Sequence, residues 1–310
     1  MLGIARSKLS KIPEWKFVAM MTMMIFSWAL AFPFIKIGLN DLSPVNLTVM
    51  RFFVVCIVLI VLLTLQPKKF SKLKRKDVPT IFTLGFFGVM VYHLGLNYGE
   101  QYISPGAASL IIATIPLFVV VLAAIFLNEK ITSKKLVGIF IAFSGVIIIS
   151  IWGKQNASIE IKYISGAFAV LLAAIMGALY TVAGKRMLKK YSALSLTVYA
   201  MLLGSLGLLP FINNSIITEV TNMPILSWIA IIFLGVCSTV IGYTLWYMAL
   251  EIKDVTNVSI YLYCIPIVTI TIDFLMFKEG ITLLFILGGV LIIMGVIMTS
   301  LKGKGCKKKI

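Results

Sequence analysis

At 310 residues, with 60% hydrophobic side chains, 13% charged residues and a mean hydropathy of +1.06, the chain is too apolar for a soluble domain, which sits nearer half apolar. Its net charge of +17 invites a nucleic-acid reading that the placement of the charges excludes. The four cysteines, Cys56, Cys237, Cys264 and Cys306, have no paired spacing for zinc or for a disulfide framework.

Most of the length divides into runs of about 20 apolar residues, the length that crosses a hydrocarbon core of about 30 Å. Ten spans are predicted, over 17–39, 44–65, 78–100, 104–127, 135–152, 163–185, 193–213, 225–248, 254–277 and 281–301. A basic arm over 1–16 precedes them, a polar linker over 153–162 divides them, and a basic tail over 302–310 closes the chain. The first span is long and lacks a small-residue cleavage site, so it reads as an uncleaved anchor. With the ends of the spans alternating between two sides, 23 of the 28 Lys and Arg fall on one side and four on the other, with Arg51 inside a span. The positive-inside rule then puts both termini in the cytoplasm of a multi-pass inner-membrane protein. Lys68–Lys76 and the terminal Lys307–Lys309 are therefore topogenic charge against membrane lipid, and no nucleic-acid partner is expected.

Within the spans, proline, glycine and polar residues mark the features to explain. Trp28 and Phe32 lie one helical turn apart and precede Pro33, which is expected to kink the first span. Ser43-Pro44 caps the second span, with proline at its first helical position. The third carries Gly85, Gly88, Gly95 and Gly99, a side that can approach another helix closely, and places His93 and Asn97 on one face. Gly95-x-x-x-Gly99 can pack within the monomer or between monomers. Ser104-Pro105-Gly106 opens the fourth span, and Pro116 falls near its middle.

The chain then repeats itself. Ser109, Ile115-Pro116, Glu129, Ile131-Thr132, Gly138, Gly145-Val146-Ile147 and Ser150 recur 150 residues later as Ser259, Ile265-Pro266, Glu279, Ile281-Thr282, Gly288, Gly295-Val296-Ile297 and Ser300. These are 11 identities in the 47 residues from Ser104 to Ser150, few in number but recurring with their spacing and chemistry. At an offset of 149 the first two spans match the sixth and seventh: Ala29-Leu30 with Ala178-Leu179, Lys36 with Lys185, and Leu47-Thr48-Val49 with Leu196-Thr197-Val198. The halves are 17–152 and 163–301, five spans each. Five is odd, so equivalent residues lie on opposite sides of the membrane. The fold class expected is an all-α integral membrane protein built from two inverted five-helix repeats, with a solute site near the midplane between them.

Ten spans in this arrangement, each half closing with a Ser…Pro…Glu-x-Ile-Thr…Gly…Gly pattern, resemble the drug/metabolite transporter superfamily and especially its EamA branch. The resemblance runs over about residues 17–301. It implies a secondary transporter, an exporter or exchanger of small organic metabolites such as amino acids, working by alternating access. Sugar-phosphate or nucleotide-sugar exchange and a channel-like facilitator are the alternatives. The partners implied are a small-molecule solute and lipid. No enzyme activity, cofactor or metal is expected, and the sequence leaves the oligomeric state open, a monomer included.

Aromatic and amphipathic side chains suit a cavity for a partly apolar solute. The candidates to line it are Trp28, Phe32, His93, Asn97, Tyr180, Tyr243, Trp246, Tyr247, Asn257 and Tyr263, although Tyr and Trp also anchor at membrane interfaces. The repeat sets His93 and Asn97 against Tyr243 and Tyr247, and Trp28 and Phe32 against Gly177 and Thr181. His93, the lone histidine, is either a hydrogen-bonded structural residue or a solute or proton contact. Lys36, Arg51 and Asp273 are candidates for a charged outer vestibule. Arg51 is expected to pair with Asp273, or each snorkels to the interface. Pro33, Pro116 and Pro266 are hinge candidates. Glu129 and Glu279 either start a turn in which Thr132 or Thr282 caps the next helix or make gating contacts.

Overall fold

The computed structural model describes residues 13–127, 133–152, 161–277 and 282–300, and among these every regular element is helical. The first span is broken. α1 (Glu14–Ala29) gives way at Leu30 to α2 (Ala31–Gly38), so Pro33 sits in a first turn, where its missing N–H costs nothing. Pro116 and Pro266 obey the same rule. α6 (Pro105–Ile112) stops, and α7 (Ile115–Leu127) starts one residue before Pro116. α15 (Cys264–Phe277) starts two residues before Pro266, after the 3-10 turn Ile260–Tyr263.

α3 (Pro44–Leu65) begins as expected, with the Ser43 hydroxyl accepting a hydrogen bond from the Asn46 amide at 3.3 Å. Ser104 caps α6 through the Ala107 amide at 3.1 Å. Ser192, the counterpart of Ser43, caps α10 (Ala193–Ser205) through the Ser195 amide at 3.3 Å. Such a cap contributes about 1 kcal/mol.

The third span is α4 (Val78–Gly85), a wide π-helical turn over Phe86–Val91, and α5 (Tyr92–Glu100). Its counterpart has the same construction: α12 (Ile225–Phe233), a π-helical turn over Leu234–Ile241, and α13 (Gly242–Ile252). The remaining elements are α8 (Ser133–Trp152), α9 (Ile161–Met187), α11 (Ser215–Thr221), α14 (Val255–Ser259) and α16 (Leu283–Ser300). Among the described residues seven helices are long and apolar enough to cross a membrane. At the other three expected positions stand shorter apolar helices, Leu136–Ile149, Tyr261–Phe277 and Leu283–Met298.

The surface is apolar where a soluble protein's would be polar: Phe53, Leu65, Phe168 and Leu275 all face outward. Helix contacts inside use small residues, as expected where burial against lipid gives no driving force and close packing must hold helices together. α8 packs on α16 through the repeated glycines. A Cβ on Gly145 would lie 2.5 Å from the Gly288 carbonyl oxygen, and one on Gly295 would lie 2.5 Å from that of Gly138. The two contacts are reciprocal, since Gly138 and Gly145 are the counterparts of Gly288 and Gly295. Gly95 and Gly99 face α9, against the backbone of Ala169 and Gly166; the motif packs within the monomer.

Polar ties join the halves at each end of the bundle. At one end the Lys190 ammonium meets Asp77 at 2.8 Å, the Tyr191 hydroxyl donates to Asp77 at 2.9 Å, and the Ser71 amide donates to Ser195 at 2.8 Å. At the other the Ser43 amide donates to Glu219 at 3.0 Å, and Asn46 donates to the Ser215 hydroxyl at 3.0 Å. The Phe285 amide donates to Thr282 at 3.0 Å, the cap expected for α16. Glu129, Glu279 and Thr132 lie outside the described residues.

Candidate solute-binding cavity

The breaks and wide turns of the inner helices meet around a cavity, the kind of concave, mostly apolar site that small molecules occupy. Of the aromatic candidates, Trp28, Phe32, His93, Tyr180, Tyr243 and Trp246 line it. All but Phe32 are linked by ring contacts. The Trp28 ring lies 5.3 Å from Tyr243 and 5.4 Å from Trp246; Tyr180 meets Tyr243 edge-on at 5.5 Å. Such edge-on pairs contribute about 0.5–1.5 kcal/mol each beyond their buried area. The Trp28 indole N–H donates to the Ser238 carbonyl at 3.0 Å, which fixes the ring's orientation.

The wall obeys the repeat. Trp28 and its counterpart Gly177 both line the cavity, as do Ala31 and Tyr180, Phe32 and Thr181, Gly88 and Ser238, and His93 and Tyr243. Leu96 with Trp246, Ile112 with Leu262 and Ile115 with Ile265 complete the set. Among the described residues only Arg51 and Tyr92 line the cavity without their counterparts, Ala200 and Gly242.

Other candidates lie nearby without lining it. Tyr247 stacks on Tyr180 with ring centres 5.0 Å apart, and its hydroxyl donates to the Tyr180 carbonyl at 3.4 Å. Asn97 turns away and donates to the Thr48 hydroxyl at 2.8 Å, tying α5 to α3. Tyr263 is buried outside the lining. Asn257 lies on α14, with its side chain outside the described residues. His93 is fully buried between Phe52 and Tyr92, and one ring nitrogen bonds the Val89 carbonyl at 2.7 Å.

The charges are arranged differently from the expected vestibule. Arg51 is buried and does not reach Asp273. Its Nε donates to the Thr239 hydroxyl at 2.8 Å and its Nη2 to the Ser238 hydroxyl at 3.1 Å. Thr239 in turn donates to the Leu234 carbonyl five residues back, at 2.8 Å, a bond that the π-helical turn makes available. Asp273 instead accepts from the Gly106 amide at 3.0 Å, at the start of α6, where unpaired N–H groups favour a carboxylate. Each charge has a nearer partner than the other. Neither snorkels, since both are buried.

Glu100 carries no signal in the sequence that singles it out. It ends α5, is fully buried, and neither carboxylate oxygen has a hydrogen-bond partner among the described residues. The half-buried Lys36, with Asp273 and Arg51, makes up its charged surroundings. At the opposite end Lys185, the counterpart of Lys36, donates to the carbonyls of Leu250 and, at 3.1 Å, Lys253; Leu250 is the counterpart of Glu100. Removing one member of a buried charge group costs more than removing both. Lys36→Met is therefore expected to lower the melting temperature, and Lys36→Met with Glu100→Gln to recover most of the loss. Thermal melts of the parent, the two single variants and the double variant check this, with a coupling of about 0.5–3 kcal/mol expected.

Comparison with known proteins agrees with this architecture. The sequence profile of the EamA-like transporter family matches residues 15–151 and again 164–301. An uncharacterized transporter of Archaeoglobus fulgidus is 39% identical over 269 residues, covering 87% of this chain and 93% of its own. A protein of Streptantibioticus cattleyicolor named "Probable terminal-alkyne amino-acid exporter" is 30% identical over 294 residues, covering 95% and 96%. A solved crystal structure superposes with a TM-score of 0.59 at 16% identity, over 92% of this chain and 97% of that one, a likeness of fold. The chain belongs to the EamA-like transporter family.

Proposed function

We propose that the protein is a secondary transporter, an exporter or exchanger, of small organic metabolites, with amino acids and related solutes as the class. It is a multi-pass protein of the cytoplasmic membrane with both termini inside, and alternates access by rocking two inverted five-helix halves, 17–152 and 163–301. The observation that carries this reading is the cavity wall, whose residues fall into repeat-related pairs. A site on the axis between two similar halves is one that either half can open to its own side. The double match of the family profile supports the two halves, and the name of the Streptantibioticus cattleyicolor relative supports the solute class.

Counterflow in proteoliposomes tests it. Vesicles preloaded with a mixture of amino acids are expected to take up radiolabelled solute faster than empty ones for at least one member of the mixture. Uptake that rises linearly with concentration and ignores the internal solute would instead mark a channel-like facilitator.

A further inference from the structure

We propose that Arg51 receives a carboxylate of the transported solute, and that the cavity selects monoanionic carboxylates with an apolar or aromatic body. This rests on reading the cavity as the solute site. Among the described residues Arg51 is the one charged residue in the lining, and no carboxylate lines it. Two of its nitrogens are committed, Nε to Thr239 and Nη2 to Ser238, while Nη1 has no partner among the described residues. A guanidinium stays charged, and a buried charge requires a counter-charge and bonds for its remaining protons. Glu100 makes no bond to Arg51, since neither of its carboxyl oxygens has a hydrogen-bond partner among the described residues. The unpartnered nitrogen of a lining residue therefore keeps its donors for a solute seated in the cavity.

A carboxylate placed there gains a charge-assisted hydrogen bond and neutralises the single positive charge. A phosphate dianion would bring a second negative charge that no described lining residue matches. The apolar body of the solute meets Trp28, Tyr243 and Trp246. An ammonium group has no lining carboxylate to pair with and meets only neutral acceptors and ring faces. Recognition thus turns on the carboxylate, and the amino group is optional. The asymmetry points the same way. Arg51 faces the cavity while its counterpart is Ala200, so an otherwise paired wall holds the charged end of the solute at one place only.

The test is calorimetric titration of the purified full-length protein with phenylacetate, L-phenylalanine, 2-phenylethylamine and phenyl phosphate. Phenylacetate and L-phenylalanine are expected to bind at least about tenfold more tightly than the other two, a difference of about 1.4 kcal/mol. Arg51→Gln is expected to weaken phenylacetate binding about tenfold or more. If that variant does not fold, the four ligands on the unaltered protein decide. Equal or tighter binding of 2-phenylethylamine or phenyl phosphate, no binding of either carboxylate, or unchanged affinity in folded Arg51→Gln would overturn the proposal. Arg51-dependent phenylacetate binding without counterflow would reject the carrier reading and keep this one.

Discussion

Gly85→Ala is expected to yield little or no folded protein. A Cβ at that position would lie 2.1 Å from the Ala200 carbonyl oxygen and 2.8 Å from the Cα of Gly204. Both are backbone atoms of a packed helix, so relief requires moving α10 as a unit. Overpacking a core costs about 1–3 kcal/mol where side chains can adjust, and here none can. Gly38→Ala is the control. Its added carbon would lie 2.7 Å from a terminal methyl of Leu47, which can swing aside, and a loss of about 1 kcal/mol or less is expected. Size-exclusion profiles and thermal melts in detergent separate the two. Similar behaviour of both variants would mean that α4 and α10 can part without loss of the fold.

Gly177→Trp is expected to abolish transport and leave a folded protein. Gly177 lines the cavity and is the repeat counterpart of Trp28. A Cβ there would come within 3.0 Å of the Ile115 side chain and 3.3 Å of Tyr92, both lining residues with open space beside them. The substitution would give both halves the same indole and fill the volume that the solute needs. Transport is expected to fall about a hundredfold or more, the size of effect seen when a reacting or binding geometry is displaced by a side chain, with a melting temperature within a few degrees of the parent. Retained transport at near-parent rates would place the solute path elsewhere.

The cavity wall is legible in the sequence because helical spacing and the repeat agree there. Trp28 and Phe32, His93 and Tyr243 are selected by face and counterpart, Trp246 as their neighbour, and all line the cavity. Asn97 shares its spacing with His93 but takes another role. A polar side chain in a membrane takes the nearest partner, and Thr48 of α3 is within reach. Ser238 is invisible to such reasoning because the π-helical turn shifts the phase of everything after Leu234, so a count in steps of 3.6 misplaces it. The pairing of Arg51 is illegible because spacing gives depth along a helix, whereas its rotamer depends on hydroxyls 187 and 188 residues away in sequence. Glu100 is hidden by its place at the end of a span, where a charge ordinarily meets water.

The two wide turns, Phe86–Val91 and Leu234–Ile241, set the phase of the helices beyond them. Each holds one surplus residue relative to an ordinary α-helix. Wound as plain α-helix, the same residues would carry every side chain beyond round by about 100°, the step of one residue. Tyr243 and Trp246 would leave the cavity wall, and His93 would leave it in the other half. The aromatic lining is thus keyed to chain length as well as to side-chain identity. A residue inserted in either wide turn would shift that half's share of the wall at once, a change no series of point substitutions makes in one step.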